Sequence, residues 1–242
     1  MTLQPENWEK PQNILVILAH PDDPEFFCGA TLARWTADGH TVSYQLLCCG
    51  DKGWNPKSPA GLTSDELCGL RRAEQTNAGR VLGIKEIHFL DYQDGLLVPD
   101  LNLRKEIVRI IRKFKPDILV TCDPQNLFAT YGLNHPDHRA AGQAVLDAVF
   151  PAAGNLFYYP DLLVEGYEPH SVKEVWVSLT NQPDVTLEVT EYWETKIKAV
   201  LQHTTQVQDE TELVKRLRSR RTPDSSDENP RYVEKFKRIN YS

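Results

Sequence analysis

The chain has 242 residues, of which 40% are hydrophobic, and this size suits one α/β domain with a large core better than two full domains. Its formal net charge of -7 gives no indication of binding to nucleic acid or to an anionic membrane surface. No apolar run approaches the roughly 20 residues of a membrane span, and residues 1–12 lack the apolar region of a signal peptide. We therefore expect a cytoplasmic protein.

The cysteines support the same expectation. The chain has five of them, at positions 28, 48, 49, 68 and 122, and none forms a C-x-x-C motif. All except Cys68 lie in or beside apolar runs. The composition thus predicts buried, reduced thiols, as in a cytosolic protein.

Strand and helix patterns alternate four times over residues 13–150. The predicted strands are 14–19, 41–48, 86–90 and 117–122, and the predicted helices are 26–37, 63–82, 100–114 and 136–150. This alternation predicts an α/β fold: a Rossmann-like, doubly wound, mainly parallel sheet with helices on both faces.

The remaining residues continue the same domain with a different pattern. Shorter strands are predicted at 156–159, 174–179 and 185–189, and helices at 190–202 and 209–220. We expect residues 1–12 to form a loose leader and residues 13–242 a single domain. Within it, 13–150 carry the motifs, 151–242 form the C-terminal part, and the polar stretch 221–231 is expected to be mobile.

The first strand leads directly into a cluster of polar residues. The apolar run 14–19 ends at His20, which is followed by Asp22, Asp23 and Glu25. A strand buried on both faces is typical of a parallel sheet, and such sheets bind ligands at the carboxyl ends of their strands. One imidazole and three carboxylates would repel one another and lose hydration there, so we expect a divalent metal to hold them.

A second imidazole completes a plausible ligand set. His138 lies in the first turn of the helix after the fourth strand. His20, Asp23 and His138 together make the two-histidine, one-carboxylate set of catalytic zinc sites, which leaves a position open for water. Zn²⁺ lowers the pKa of that water towards about 7, although the ligand set also suits Fe²⁺ or another divalent ion.

Neighbouring residues suggest the remaining roles. Asp22 is the candidate general base, and His135, three residues before His138, is a candidate oxyanion donor or proton donor to a leaving amine. Asp137 is expected to fix the tautomer of His135. The candidate substrate contacts near this edge are Lys52, Arg71, Arg72 and Asp94.

Each of these motifs has a structural explanation when taken alone. H-P-D-H is also a capped helix start, Asp-Asp is common in turns, and Arg71 and Arg72 also suit a solvated helix face. Their joint occurrence after the predicted strands, all of which end at one edge of the sheet, favours a functional site. The glycines near the first strand do not form G-x-G-x-x-G, which argues against a dinucleotide cofactor.

The motifs together resemble the PIG-L/LmbE-like deacetylase family. The resemblance is carried by AHPDDPE (19–25), CGDKG (49–53), LRRAE (70–74) ahead of VLGI (81–84), and HPDHR (135–139). Known members are zinc-dependent hydrolases that remove acetyl groups from N-acetylglucosamine moieties, and they are often oligomers. The resemblance implies an LmbE-like fold, a small amino-sugar substrate and a possible homo-oligomer.

The resemblance also implies roles for individual residues. It implies His20, Asp23 and His138 as ligands of Zn²⁺ and Asp22 as the base. It further implies His135 as the cationic partner in the transition state and Arg71 as a substrate contact.

Two positions depart from the family's pattern. Some relatives carry a tyrosine two residues before the first histidine of HPDH, where this chain has Leu133, so either Tyr131 supplies the oxyanion donor or His135 acts alone. Members often have His-x-Ser-Gln where this chain has His203-Thr204-Thr205-Gln206, which makes His203 and Gln206 candidate residues of the rim.

The sequence therefore predicts a metal-dependent amide hydrolase that deacetylates an N-acetylglucosamine-type substrate. Two alternatives stay open at this point: hydrolysis of a non-sugar amide at the same site, and a non-catalytic sugar- or metal-binding protein on the same scaffold.

Overall fold

The computed structural model describes residues 6–56, 58–130 and 132–241. The strands are β1 (Asn13–Leu18), β2 (Thr41–Cys48), β3 (Glu86–Tyr92), β4 (Ile118–Cys122), β5 (Phe128–Ala129), β6 (Gly132–Leu133), β7 (Glu174–Ser178), β8 (Val185–Glu188) and β9 (Val233–Asn240). The helices are α1 (Asp23–Ala37), α2 (Ser64–Leu82), α3 (Leu101–Phe114), α4 (Pro136–Asp147), α5 (Asp161–Val164), α6 (Trp193–Val200) and α7 (Glu210–Arg218). A π-helical segment, Ala148–Ala153, extends α4, and a 3₁₀ turn, Thr190–Tyr192, precedes α6.

Seven of the strands form one sheet in the order β3-β2-β1-β4-β7-β9-β8, and β5 and β6 form a separate small hairpin. β3, β2, β1, β4 and β7 are parallel to their neighbours, whereas β9 runs antiparallel to both β7 and β8. The chain moves outward from β1 to β3 and then returns to place β4 on the other side of β1. Right-handed crossovers therefore put α1 and α2 on one face and α3 and α4 on the other, which confirms the predicted doubly wound fold.

Local sequence signals explain where the main helices begin and end. Thr63 and Glu66 form the predicted capping box at the start of α2, and Gly83 ends this helix with a φ of 75°. The Asp100 side chain accepts hydrogen bonds from the backbone N–H groups of Asn102 and Leu103 at the start of α3. In the described part of the chain, no helix is both long enough and apolar enough to cross a membrane.

The predicted strand at 156–159 is wrong. This segment forms turns, and α5 follows it. The buried Arg112 on α3 donates hydrogen bonds to the Tyr158 carbonyl within this segment and to the Asn155 carbonyl just before it, each at 3.0 Å. The Tyr158 carbonyl is therefore engaged by Arg112 and does not serve a strand ladder.

The described part of the predicted leader, residues 6–12, is packed and not loose. Glu6 is only 4% exposed, accepts a hydrogen bond from the Trp35 indole at 2.8 Å and pairs with Arg34. The Trp8 ring packs against the rings of Trp35 and Trp176. This segment therefore covers one end of the aromatic core. Residues 1–5 lie outside the described residues.

The C-terminal segment enters the sheet as an interior strand. The polar stretch 221–231 closes on itself through a hydrogen bond from the Thr222 N–H to the Arg231 carbonyl at 2.7 Å, and β9 follows directly. β9 then lies between β7 and β8. The mobility of 221–231 stays a prediction.

The prediction of five reduced thiols is wrong for two of them. Cys49 and Cys68 form a disulfide with a Cα–Cα distance of 5.2 Å, whereas Cys28, Cys48 and Cys122 are free and buried. Cys49 follows β2 and Cys68 lies early in α2, so the bond closes the loop that joins these two elements. Apolar sequence neighbours alone did not reveal that these two thiols meet.

Candidate functional site

The carboxyl ends of three parallel strands bring the predicted polar residues together. His20 follows β1, Asp94 follows β3, and His135 and His138 lie at the start of α4, which follows β4 after the loop that carries β5 and β6. Donor atoms of His20, His135 and His138 lie within 4.8 Å of one another. A second group with the same spacing consists of His20, Asp94, His135 and Asp137.

The turn between β1 and α1 fixes two carboxylates. Asp22 is the N-cap of α1 in the left-handed conformation, with a φ of 80°, and its N–H donates to the Gln75 side-chain oxygen at 2.9 Å. The His20 N–H donates to Asp23 Oδ2, also at 2.9 Å. Pro24 follows in the first turn of the helix, where its missing N–H costs nothing.

His20 lies between carboxylates on both sides of its ring. Its Nδ1 is 3.6 Å from Asp23 Oδ2, and its Nε2 is 3.1 Å from both Asp94 Oδ1 and Asp137 Oδ2. Burial alone lowers the pKa of this imidazole, but its hydrogen bonds to Asp137, Asp23 and Asp94 outweigh burial and raise the pKa well above its usual value. The surrounding carboxylates therefore stabilise the protonated, positively charged form of His20.

His138 contacts Asp23 through one ring nitrogen and a buried amide through the other. Its Nε2 is 2.9 Å from Asp23 Oδ1, and its Nδ1 is 2.8 Å from Asn134 Oδ1. Burial opposes the charged form of Asp23, yet the interaction with His138 prevails and lowers the pKa of Asp23. The Asn134 amide donates in turn to the Asn126 carbonyl at 2.8 Å.

Sequence reasoning missed Asn134. The available signal was its position four residues before His138, directly ahead of the H-P-D-H motif. Its role depends on the fold of the 123–134 loop, because the Asn126 backbone orients the amide.

Asp22 and Arg71 form a buried pair beside these groups. Arg71 Nη2 is 3.1 Å from Asp22 Oδ2, and the same guanidinium donates to the carbonyls of Pro21 at 2.7 Å and Gly50 at 3.2 Å. A Cβ atom at Gly50 would lie 1.9 Å from Arg71, so only glycine fits this approach. Burial raises the pKa of Asp22, and the positive charges of Arg71 and His203 offset only part of that rise. Asp22 is therefore a better proton acceptor than an exposed carboxylate.

His135 and Asp137 do not form the predicted pair of side chains. The Asp137 backbone N–H donates to His135 Nδ1 at 3.2 Å, which makes His135 the N-cap of α4. The Asp137 carboxylate instead points into the core, where it meets His20 Nε2 and accepts the N–H groups of Gly95 at 2.7 Å and Leu97 at 3.2 Å. The predicted tautomer contact of Asp137 is thus made to His20, because the N-cap geometry of α4 turns the two side chains apart.

The environment of His135 favours a neutral ring, in contrast to the cationic partner that the family resemblance implies. Burial and the nearby His20 and His138 lower the pKa of His135. Its Nε2 lies 3.8 Å from Asp94 Oδ1, on the side of the cleft. A neutral imidazole with Nδ1 accepting keeps its proton on Nε2, where it is available as a donor.

The predicted substrate contacts separate into two groups. Lys52, Arg71 and Asp94 line a cleft of about 370 Å³ together with His20, Asp22, Asp23, His135 and His138. Arg72 instead pairs with Asp91 on the surface at 2.6 Å. Tyr131 lies outside the described residues.

His203 is not at the rim. The residue is fully buried, and its Nε2 lies 3.2 Å from Glu25 Oε2 behind the cleft. Glu25 is also fully buried, and the turn after α6 places His203 against it. Gln206 donates to the Gly53 carbonyl at 2.9 Å and so supports the 50–53 loop.

Comparisons with known proteins agree with this geometry. Residues 15–149 match the family model described as PIG-L, GlcNAc-PI de-N-acetylase. The diacetylchitobiose deacetylase of Thermococcus kodakarensis is 35% identical over 195 residues, which are 81% of this chain and 70% of that protein. A probable N-acetyl-α-D-glucosaminyl L-malate deacetylase 2 of Bacillus anthracis is 26% identical over 85% of this chain and 86% of that protein.

A solved structure extends the likeness to the whole fold. The N,N'-diacetylchitobiose deacetylase of Pyrococcus horikoshii superimposes with a TM-score of 0.83 at 28% identity, over 94% of this chain and 84% of that one. The match of the family model covers more than half of the chain, including every strand-end motif described above. The chain therefore belongs to the PIG-L (GlcNAc-PI de-N-acetylase) family, as the motif resemblance predicted.

Proposed function

We propose that this protein is a metal-dependent N-deacetylase that removes the acetyl group from an N-acetylglucosamine-type substrate or its glycoside. Family membership and the named activities of the relatives support the reaction class. The observation that carries the proposal is the arrangement around Asp23: one nitrogen each of His20 and His138 faces this carboxylate, and the other nitrogen of each ring has a separate hydrogen-bonding partner.

This arrangement fits a divalent metal. Histidine ligands normally direct their second ring nitrogen to a carboxylate or carbonyl, and here Asp137 serves His20 Nε2 while Asn134 serves His138 Nδ1. His20 Nδ1, Asp23 and His138 Nε2 are then the proposed ligands, and this donor set favours Zn²⁺ while admitting Fe²⁺. When bound, the metal supplies Lewis acidity, which lowers the pKa of water and polarises the acetamide carbonyl.

The chain's own groups complete the reaction. The Asp22 carboxylate takes the proton of the attacking water and later gives it to the leaving amine nitrogen. Arg71 orients Asp22 through the 3.1 Å pair and remains the candidate contact for substrate hydroxyls. The Nε2–H of neutral His135 donates to the carbonyl oxygen as negative charge develops there. Lys52 and Asp94, which line the same cleft, are the proposed contacts for sugar hydroxyls.

The proposal is tested by acetate release from N-acetylglucosamine and N,N'-diacetylchitobiose, before and after chelation and after addition of Zn²⁺ or Fe²⁺. We expect release that the chelator abolishes and that metal restores. Asp22→Asn should lower kcat by roughly 10²–10⁴-fold while metal content stays near that of the wild type.

The control is Asp91→Asn, which makes the same chemical change at an exposed carboxylate that pairs with Arg72. Wild-type turnover in Asp22→Asn would remove Asp22 from the role of base. Metal binding without acetate release would favour the alternatives, a non-sugar amide substrate or a binding protein, and a panel of other N-acyl compounds separates those two.

Location and assembly remain proposals as well. We keep the cytoplasmic location, although the Cys49–Cys68 disulfide weighs against it because cytosolic thiols are normally kept reduced. Alkylation of free thiols in intact cells tests the cytoplasmic location. Recovery of the protein outside the cytosol with the Cys49–Cys68 disulfide intact would contradict this location. A homo-oligomer is tested by light scattering of the purified protein.

A further inference from the structure

A second cavity adjoins the proposed reaction centre. It has a volume of about 470 Å³ and shares Asp22, Asp23 and His138 with the cleft described above. Its apolar wall includes Phe26, Phe27 and Trp193. Ligand pockets commonly measure roughly 300–1,000 Å³ and combine apolar walls with a few polar groups. The size and lining therefore suit the part of a substrate that extends beyond the acetamide.

The carboxylates of this cavity already have partners among the basic side chains of the chain. Asp22 pairs with Arg71 at 3.1 Å, and Asp23 pairs with His138 at 2.9 Å. Glu234 pairs with Lys196 at 2.6 Å and also accepts the Thr31 N–H at 2.7 Å. Among the described residues that line the cavity, each carboxylate thus has a basic partner.

Three cations on the same wall have no such partner. Arg216, Arg220 and Lys235 line the cavity, and within the described residues none of them forms an ion pair or a side-chain hydrogen bond. Arg216 lies in the last turn of α7, and Arg220 lies in the turn directly after this helix. Partial removal from water and the positive charge of Arg216 together lower the pKa of Arg220, although the residue as a whole is exposed. These exposed side chains are therefore open to an anion from outside the chain.

Another arginine of α7 provides a comparison. Arg218 lies between these two in the sequence but forms a two-point ion pair with Glu194, with distances of 3.0 and 2.9 Å, and does not line the cavity. A helix C-terminus favours cations in general, which is a structural explanation for all three arginines. That explanation does not account for the difference between these arginines. Arg218 has a carboxylate partner, whereas Arg216 and Arg220, which line the cavity, have none among the described residues.

We propose that this cavity holds the aglycone of the substrate and that Arg216 and Arg220 bind an anionic group on it, either a carboxylate or a phosphate. This inference rests on the proposed function and deepens it, because it names the class of N-acetylglucosaminide that the site prefers. Arginine suits either anion, since its planar N–H groups match two acceptor oxygens at once. Lys235 adds positive charge nearby.

The test compares three ligands that differ only beyond the sugar: the 3-carboxypropyl glycoside of N-acetylglucosamine, its neutral carboxamide, and N-acetylglucosamine 1-phosphate. We expect the wild type to show a lower KM for at least one charged substrate than for the carboxamide, and the preferred charged arm identifies the anion. Arg216→Gln and Arg220→Gln should each raise that KM roughly tenfold and leave the KM for the carboxamide unchanged. Arg218→Gln is the matched control and should change neither.

A binding measurement separates failure of this inference from failure of the proposed function. Titration calorimetry uses the deacetylated 3-carboxypropyl glucosaminide, its carboxamide and glucosamine 1-phosphate, so it needs no turnover. Tighter binding of a charged ligand that is lost in Arg216→Gln and Arg220→Gln supports the anionic subsite even if no acetate is released. Equal binding of charged and neutral ligands by the wild type overturns it, as does an equal effect of all three arginine variants.

Discussion

Asn134 shows how one residue outside the motifs can control the reactivity of a proposed metal ligand. Its Oδ1 lies 2.8 Å from His138 Nδ1, which keeps the proton on Nδ1 and leaves Nε2 free to face Asp23. We expect Asn134→Ala to lower metal affinity by about 10–100-fold, the usual effect of losing such a partner. Competition with a chromogenic chelator measures this affinity directly.

The control at this scale is Asn181→Ala. Asn181 donates to the Asn126 side chain at 2.9 Å, so it belongs to the same loop network but does not contact His138. The metal affinity of the Asn181→Ala variant should match that of the wild type. An unchanged affinity in Asn134→Ala would mean that the amide does not fix the His138 tautomer.

Some site residues could be predicted from the sequence and others could not, because only some positions are determined by the adjacent chain. His20, Asp22 and Asp23 were predictable because they directly follow a buried strand, whose end determines where they lie. Asn134 was not predictable, since its orientation comes from the Asn126 backbone in an irregular loop. His203 was misplaced because its burial depends on Glu25, a contact across 178 residues that no local pattern records.

At the scale of elements, the Cys49–Cys68 disulfide joins the end of β2 to α2, three residues before Arg71. The bond spans a sequence separation of 19, and closing a loop of this size in the unfolded chain is worth about 3 kcal/mol in the chain-entropy model. We expect the double variant Cys49→Ser/Cys68→Ser to lose up to about that much free energy of unfolding, measured by urea denaturation.

Reduction supplies the control for this prediction. Dithiothreitol should lower the urea midpoint of the wild type to that of the double variant and should leave the double variant unchanged. If the reductant lowers the midpoint of both proteins equally, it acts elsewhere and the disulfide is not responsible.

Elements were predictable where their signals were local. The capping box at Thr63 and Glu66 and the glycine stop at Gly83 determine α2 from within its own sequence. β9 was not predicted as a strand, because it begins at Val233 and pairs with β7 and β8, which end far earlier in the chain at Ser178 and Glu188. The 156–159 segment failed for a related reason: its Tyr158 carbonyl accepts a hydrogen bond from the distant Arg112, a contact that no local pattern records.

At the scale of the whole molecule, Asp117 joins three strands at the edge opposite the site. Its carboxylate accepts the Asn13 N–H at 2.9 Å and pairs with Lys173 at 2.7 Å, linking the starts of β1, β4 and β7. Burial opposes ionisation, but these two interactions prevail and lower the pKa of Asp117. A carboxyl group whose pKa is lower in the folded state stabilises the fold above its unfolded pKa, and that contribution disappears as the pH falls through the folded pKa.

We therefore expect Asp117→Asn to reduce the free energy of unfolding by roughly 1 kcal/mol at pH 7, a modest value because the pair is partly exposed. The difference between variant and wild type should shrink at a pH below the folded pKa, where the wild-type carboxylate is also protonated. Urea denaturation across the acid range measures it. A difference that stays constant with pH would mean that the charge of Asp117 contributes nothing.

Metal binding should stabilise the whole fold, because the proposed ligands come from two segments that meet where the strand order reverses. His20 and Asp23 follow β1, and His138 opens α4 after β4. A metal that binds only the folded chain stabilises it by about 4 kcal/mol at a thousand times its Kd, which for a protein of this size raises Tm by roughly 10 °C. Calorimetry of the apo protein with and without Zn²⁺ tests this shift.

The variants His138→Ala and His88→Ala form a matched pair. His138→Ala should lose the Tm shift, whereas His88→Ala should retain it, because His88 is half-exposed and contacts Glu86. An equal Tm shift in both variants would mean that the metal binds elsewhere. A site that links β1 to α4 must lose its stabilising effect when the His138 ligand is removed.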